Sequence, residues 1–236
     1  MTMQLFSGPL SMFGAKAQIA ALEKGLAFDL VMVPFDTDDR YLPRHPEVLR
    51  INPKQQVPVL IDGEVEIFDS TQIFEYLEDL KPQPALWPAS AAARANARLL
   101  EHLSDEVFFP QVVELFGLQD AMQSPPAVAA CAACAHHYAL MEQRLAQADH
   151  LAGEYGYADI AFYMAHVFAD RKGAGMTADT PRLVAWRDRV GQRPAVRAVV
   201  GPMMKFLHAH QRGVPDFLQA LLQGDSGQGL RESRRT

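Results

Sequence analysis

The chain has 236 residues, a length that fits one or two domains and is too short for three ordinary ones. Hydrophobic residues make up 49% of it and charged residues 21%, a composition typical of a protein with a packed core and not of a disordered chain. The formal net charge of -6 argues against nucleic acid or an anionic membrane surface as the main partner.

No run of about 18 apolar residues occurs, and the amino terminus lacks a secretory signal pattern. We therefore expect a cytoplasmic protein with no membrane partner. The two cysteines, Cys131 and Cys134, lie three positions apart in an alanine-rich stretch that favours a helix. This placement predicts small packing side chains and neither a disulfide framework nor a metal site, and no metal is expected.

The first 80 residues alternate between strand and helix patterns. The predicted strands cover residues 3–6, 28–33, 57–61 and 65–68. The predicted helices cover residues 12–24, one short segment within 36–52, and the segment through Ile73, Phe74, Tyr76 and Leu77. One helix between the first two strands favours a parallel crossover, and Asp62-Gly63 indicates a tight hairpin. The predicted order is β-α-β-(α)-β-β-α.

The rest of the chain has only helical periodicity. The predicted organisation is an α/β domain over residues 1–81, a proline-rich linker over 82–88, an all-α domain over 89–223 and a disordered tail over 224–236. The predicted helices of the second domain cover residues 89–116, 126–147, 159–171 and 181–191, followed by shorter segments beyond Pro194.

Pro58 stands at the start of an otherwise central strand, where proline is disfavoured outside a special turn or an edge. If the bond between Val57 and Pro58 is cis, the backbone of Val57 points out of the sheet and can pair with an extended peptide. A trans proline that begins an edge strand is the alternative reading.

Asp69 and Ser70 follow at the start of a helix. Backbone amides, the Ser70 hydroxyl and the helix dipole suit a carboxylate, while the Asp69 side chain suits an ammonium group. Together they would recognise the end of an amino acid. A plain N-cap explains Asp69 alone equally well.

The order and spacing of these residues resemble the amino-terminal domain of cytosolic glutathione transferases. The matching stretches are Ser11 at a helix start, Glu23-Lys24-Gly25, Asn52-Pro-x-x-Gln-Val-Pro58 and Asp69-Ser70-Thr-x-Ile73. The segment around Gly156 and Asp159 resembles the family's N-capping box, in which Ser or Thr usually stands where this chain has Gly156, and Thr180 to Pro194 resembles its late helix. The resemblance covers nearly the whole chain and implies a serine-type bacterial member with a thioredoxin-like α/β domain followed by an all-α domain.

The resemblance also implies a site for glutathione as co-substrate. Val57, next to Pro58, would pair with the cysteinyl part. The γ-glutamyl end would be held by Gln56, Asp69 and Ser70, and the glycyl carboxylate by Arg44, with Lys54 as a second candidate. Ser11 would donate a hydrogen bond to the thiolate, unless it only caps the helix; Ser7 is the weaker alternative. The expected pocket for an apolar electrophile includes Pro9, Met12, Phe13, Phe109 and Phe116.

These implications favour a homodimeric glutathione transferase that attacks a small apolar electrophile, as in detoxification. A specialised glutathione-dependent β-etherase or dehalogenase is an alternative, because Glu75-Tyr-Leu-Glu78-Asp79 and the late segment with Thr180-Pro, Trp186 and Arg193-Pro also resemble etherase-type members. A non-catalytic binding protein with the same fold is a third reading. A thiol-disulfide reductase is disfavoured, since no cysteine begins the first helix.

Overall fold

The computed structural model describes residues 2–36 and 38–223, so the predicted disorder of 224–236 lies outside the described residues. The strands are β1 (Gln4–Ser7), β2 (Asp29–Met32), β3 (Val59–Asp62) and β4 (Val65–Phe68). The helices are α1 (Met12–Glu23), α2 (Pro46–Ile51), α3 (Ser70–Leu80), α4 (Ala91–Leu103), α5 (Phe109–Phe116), α6 (Pro125–Arg144), α7 (Tyr157–Arg171), α8 (Pro181–Gly191), α9 (Pro194–Ala209) and α10 (Ala220–Gln223).

The four strands form one sheet in the order β2-β1-β3-β4. β1 and β2 are parallel neighbours and are connected along the chain through α1. β3 pairs antiparallel with both β1 and β4. One layer of the core lies between the sheet and the first and third helices, where Leu5 and Leu60 are opposite each other in register and pack with Ile73 and Leu77. The thioredoxin-like fold is confirmed.

The start of β3 differs from its prediction. The Val57–Pro58 bond is cis, the first of the two readings that the sequence left open, and the strand begins at Val59 instead of residue 57. Pro58 has no N–H to donate to the ladder, so Val57 and Pro58 stay outside the sheet pairing. The backbone of Val57 is thereby left at the surface of the domain.

The second domain is all-helical, as predicted, and is built around α7. Every residue of α7 from Tyr157 to Ala169 is buried. The helix begins at Tyr157, two residues before the predicted start, and the predicted contact of Asp159 is present: its Oδ2 accepts a hydrogen bond from the amide of Gly156 at 3.1 Å. The second carboxylate oxygen accepts from the indole of Trp186 at 2.6 Å.

One helical prediction in this domain is wrong in detail and another is incomplete. Residues 89–116 do not form one regular helix, because a π-helical turn over Ser104–Phe108 separates α4 from α5. Pro110 cannot donate to a carbonyl of the preceding turn, which accounts for the loosened ladder just before it. Beyond Pro194 the chain forms a helix of 16 residues, α9, before the short segments that were predicted there, such as α10. Pro202 lies inside it, and the buried stripe through Val199, Met203 and Leu207 holds the helix together across the proline.

The two domains are joined by a buried aromatic contact. The rings of Phe74 on α3 and Tyr157 on α7 are stacked with centroids 3.6 Å apart, and Trp87 meets both edge-on. The Tyr157 hydroxyl donates to the carbonyl of Ser70 at 3.0 Å, so the first turn of α3 is fixed against the helical domain. None of the described helices is both long and apolar enough to span a bilayer.

Candidate active site

Two clefts meet at the bend before β3. The polar cleft, of about 310 Å³, is lined by Lys54, Asp69, Ser70, Thr71 and Asp105. The apolar cleft, of about 470 Å³, is lined by Ser11, Met12, Phe109, Phe116 and Phe168. Phe13, Gln56 and Val57 line both. A ligand that lies along Val57 therefore reaches both clefts at once.

The backbone of Val57 is free to bind such a ligand. Within the described residues, no backbone hydrogen bond engages its amide or carbonyl. The preceding loop is held by Asn52, whose side-chain amide donates to the carbonyl of Gln56 at 2.6 Å and whose Oδ1 accepts from the amide of Lys54 at 2.9 Å. An extended peptide could pair with Val57 as an added strand does.

Asp69 is the N-cap of α3 and also lines the polar cleft. Its Oδ1 accepts hydrogen bonds from the amides of Thr71 at 3.0 Å and Gln72 at 3.3 Å, and its backbone has a φ of 78°. Asp69 can therefore cap the helix and also bind an ammonium group, the two roles that the sequence offered, because the cap uses only one carboxylate oxygen. The Ser70 amide and hydroxyl remain at the positive end of the helix, beside that carboxylate.

Ser11 caps α1 at the edge of the apolar cleft. Its Oγ accepts a hydrogen bond from the amide of Gly14 at 2.9 Å, which leaves the hydroxyl hydrogen to donate. Ser7 is fully buried, does not line either cleft, and accepts from Nε2 of Gln18 at 2.8 Å. Of the two serines, Ser11 is the one that a ligand in the cleft can reach.

Arg44 and Lys54 lie in different clefts. Arg44 lines the apolar cleft and donates a hydrogen bond to the side chain of Gln55, while Lys54 lines the polar cleft beside Asp69. A tripeptide with its amino-acid end at Asp69 would extend past Val57 towards Arg44. This direction favours Arg44 over Lys54 for the far carboxylate.

The aromatic wall of the apolar cleft comes from two helices of the second domain and from α1. Phe13 meets Phe109 edge-on at 5.5 Å, and Phe116 stacks on Phe168 at 6.3 Å. Met12, Phe13, Phe109 and Phe116 line the cleft as expected, whereas Pro9 does not and Leu10 takes its place.

A buried ion cluster, which no local sequence pattern indicated, underlies the polar cleft. Lys16 on α1 is fully buried and lies 2.9 Å from the Glu101 carboxylate, and it also contacts Asp105. The Thr71 hydroxyl donates to Glu101 at 2.6 Å. Because the cation belongs to the first domain and both carboxylates to the second, the cluster fixes the two walls of this cleft against each other.

The cluster shifts the pKa of each member. Burial opposes the charge on Lys16, but Tyr157 and the carboxylates of Asp105 and Glu101 outweigh it and raise its pKa. Burial also opposes ionisation of Glu101, yet Lys16 and Thr71 lower its pKa below the ordinary value. Burial and the neighbouring Glu101 raise the pKa of Asp105 to about 7, although Lys16 opposes the shift. The Oδ1 atom of Asp105 is buried and has no hydrogen-bond partner among the described residues.

Comparison with known proteins identifies the family. The chain matches the profile of the glutathione S-transferase N-terminal domain over residues 5–85 and that of the glutathione S-transferase C-terminal domain over residues 115–194. The chain belongs to the glutathione S-transferase family. Its sequence is 29% identical to glutathione S-transferase 3 of Zea mays over 84% of this chain and 93% of that protein.

Further similarities are to proteins with other names and to solved structures. The chain is 32% identical, over 45% of its length, to a stringent starvation protein A homolog of Coxiella burnetii, and the match spans 48% of that relative, about half. A glutathione S-transferase structure from Rhodospirillum rubrum F11 is 27% identical with a TM-score of 0.72 over 84% of this chain and 91% of that one. One from the Antarctic clam Laternula elliptica, 22% identical, shares the fold with a TM-score of 0.77 over 94% and 100%.

Both cysteines of this glutathione S-transferase family member lie outside the two clefts. Among the described residues, no group of three or more His, Cys, Asp or Glu side chains has the geometry to hold a metal ion. Cys131 and Cys134 both lie on α6 as free thiols. Burial, with a smaller contribution from Cys131, raises the pKa of Cys134 to about 12, so this thiol stays protonated.

Proposed function

We propose that this family member binds glutathione along Val57 and transfers its thiolate to an electrophile held in the apolar cleft. The observation that carries the proposal is that Phe13, Gln56 and Val57 line both clefts. One tripeptide can therefore place its γ-glutamyl end in the polar cleft and its thiol in the apolar one.

The polar cleft suits the γ-glutamyl end. The ammonium group would bind the Asp69 carboxylate, with Asp105 as a second carboxylate lining the same cleft. The α-carboxylate would accept hydrogen bonds from the amide and hydroxyl of Ser70 at the positive end of α3. At the other end, the guanidinium of Arg44 would pair with the glycyl carboxylate.

Ser11 would stabilise the thiolate and not act as the nucleophile. A free thiol has a pKa of about 8.5, so only a few per cent of it is ionised at neutral pH. A hydroxyl donor at the start of α1, together with the helix dipole, lowers that pKa. The sulfur then forms a bond to the electrophilic carbon while the leaving group departs with its electron pair. On this basis we assign the protein to the serine-type transferases.

The etherase-like stretch lies outside both clefts. Glu75 accepts hydrogen bonds from the Trp87 indole and from Arg98, and Glu78 pairs with the buried Lys24. These contacts explain both carboxylates as structural groups. We therefore place conjugation ahead of ether cleavage or dehalogenation.

The decisive experiment combines retention on immobilised glutathione with an acceptor panel. A chlorinated nitrobenzene and an aryl ether would be offered with glutathione, and both loss of thiol and product would be measured. Turnover of the chlorinated aromatic supports the proposal. Retention without any turnover would identify a binding protein instead, and no retention would remove the proposed site.

We also propose that the protein is a homodimer. Leu99, Val107 and Val113, between the start of α4 and the end of α5, are each about half exposed, at 51%, 49% and 51%. Apolar side chains exposed to this degree along one helical run suit a subunit contact. Sedimentation equilibrium of the wild type and of Val113→Glu would test it, and a monomeric wild type would contradict it.

A further inference from the structure

Positive charges gather at the Phe116 and Phe168 wall of the apolar cleft. The Lys172 ammonium lies 4.5 Å from the centroid of the Phe116 ring, and the Arg171 guanidinium lies 5.3 Å from that of Phe168. These two rings are stacked on each other and both line the cleft. Arg40, from the loop after β2, lines the same cleft.

These cations act on one another. Burial, followed by Arg171, Arg212 and Arg40, lowers the pKa of Lys172. Burial and Arg212 lower the pKa of Arg171 to about 10. Arg40 belongs to the first domain and lines the cleft itself, whereas Lys172 and Arg171 belong to the second domain and contact two of the rings that line it.

The carboxylates of the described residues form no ion pair with this basic group. Within the described part of the chain, no ion pair engages Arg40, Arg171, Lys172 or Arg212, whereas eight other arginines and lysines form ion pairs with Asp or Glu. The buried Nε of Arg171 has no hydrogen-bond partner there either. Asp39 lines the apolar cleft, but Arg40 and Arg44 line it too and outnumber this single carboxylate. In a chain with a net charge of -6, a basic cluster beside an apolar cleft without an ion pair to a described carboxylate indicates a site for an anionic ligand.

We propose that the apolar cleft selects small organic anions: molecules with an apolar body that packs on the phenylalanine wall and a carboxylate or similar group that pairs with Arg40 and is attracted by Lys172 and Arg171 beside that wall. The rings supply apolar surface against which the body of the ligand packs. The cations supply positive charge that attracts its carboxylate, which a neutral apolar cleft lacks. The inference names the acceptor class for the proposed transfer and rests on that function for turnover only. Binding of the anion itself does not require glutathione.

The first experiment measures binding without glutathione. Calorimetric titration with 2-naphthoate and with the neutral 2-naphthamide compares two ligands of similar shape. We expect the carboxylate to bind about three- to tenfold more tightly at low salt, and the difference to shrink at high salt. Equal affinities at low salt would overturn the inference.

Variants assign the effect to the cluster. Lys172→Met and Lys172→Glu should weaken naphthoate binding in that order and leave naphthamide binding nearly unchanged. Arg197→Met is the matched control, because Arg197 is an exposed cation on α9 that contacts neither Phe116 nor Phe168, and its loss changes the net charge equally. If Arg197→Met weakened naphthoate binding as much as Lys172→Met, the preference would come from overall charge and the cluster would have no role.

The second experiment separates this inference from the transfer function. The acceptors 4-chloro-3-nitrobenzoate and 4-chloro-3-nitrobenzamide share a reacting carbon: the glutathione thiolate forms the C–S bond, the C–Cl bond breaks, and chloride leaves with the electron pair. We expect a higher kcat/KM for the benzoate, reduced in Lys172→Glu. Tight naphthoate binding with no turnover of either acceptor would remove the transfer function and keep the anion site. If both acceptors turned over with equal kcat/KM, and naphthoate and naphthamide bound with equal affinity, the transfer function would stand and the anion site would be removed.

Discussion

The Nζ atom of Lys16 on α1 lies 2.9 Å from Oε1 of Glu101 on α4, so an ion pair joins the two domains beneath the polar cleft. Both groups are almost completely buried, and burial of an ion is costly unless its partner stays in place. The pair therefore couples the stability of the domain contact to the shape of the site.

Removal of the cation alone should be strongly destabilising. Lys16→Met leaves Glu101 and Asp105 buried without their counter-charge, and we expect a loss of about 3–5 kcal/mol in the free energy of unfolding, measured with urea at neutral pH. Arg50→Met is the control, because Arg50 pairs with Glu47 and Glu66 at the surface, and its loss should cost far less stability than the loss of Lys16. Similar losses in the two variants would contradict the buried cluster.

The same cluster predicts an unusual pH dependence. Burial and Glu101 raise the pKa of Asp105 to about 7 in the folded chain, above its unfolded value near 4. The folded state therefore holds more protons than the unfolded state between these values, and the Asp105 contribution to stability falls as the pH rises through that window. Denaturation from pH 5 to 8 should show this decline in the wild type and a flatter profile in Asp105→Asn. An unchanged slope in the variant would remove Asp105 as its source.

Ser11→Ala should impair chemistry more than folding. Loss of a hydrogen bond to a charged sulfur should raise the pKa of the bound thiol and lower kcat/KM about 10- to 100-fold. Loss of the helix cap should cost about 1 kcal/mol of stability. Ultraviolet titration of bound glutathione and steady-state kinetics would measure the first effect, and denaturation the second.

Two further variants separate the cap from the donor. Ser90→Ala removes the equivalent cap of α4, where Oγ accepts from the Ala93 amide at 3.2 Å, and should lower stability without changing the thiol pKa. Ser11→Thr keeps a hydroxyl and should retain most activity. Full activity in Ser11→Ala would end the assignment of Ser11 as thiolate donor.

Local sequence patterns predicted the elements and the residues whose roles depend on near neighbours. Pro58 marked the position of an unusual bond without deciding between cis and trans, and Asp69 and Ser11 cap the helices that begin directly after them. Lys16 gave no such signal, because its burial depends on Glu101, 85 residues later in the chain. The same holds for Lys172, which interacts electrostatically with Arg40 only because the two domains pack together. Contacts between distant segments have no local pattern.

Gly156 is a departure from the family pattern that the structure explains. A Cβ at this position would lie 2.4 Å from the carbonyl oxygen of Leu86, which accepts the Tyr157 amide at 3.0 Å. Gly156→Ser would restore a capping hydroxyl, but the clash should outweigh the cap, for a net loss of about 1–3 kcal/mol in urea denaturation. Gly201→Ala is the control: it lies in α9 with open space around its Cβ and should gain about 0.5–1 kcal/mol. A stabilised Gly156→Ser would mean that the linker carbonyl can move aside, and that this glycine is not required by the contact between the domains.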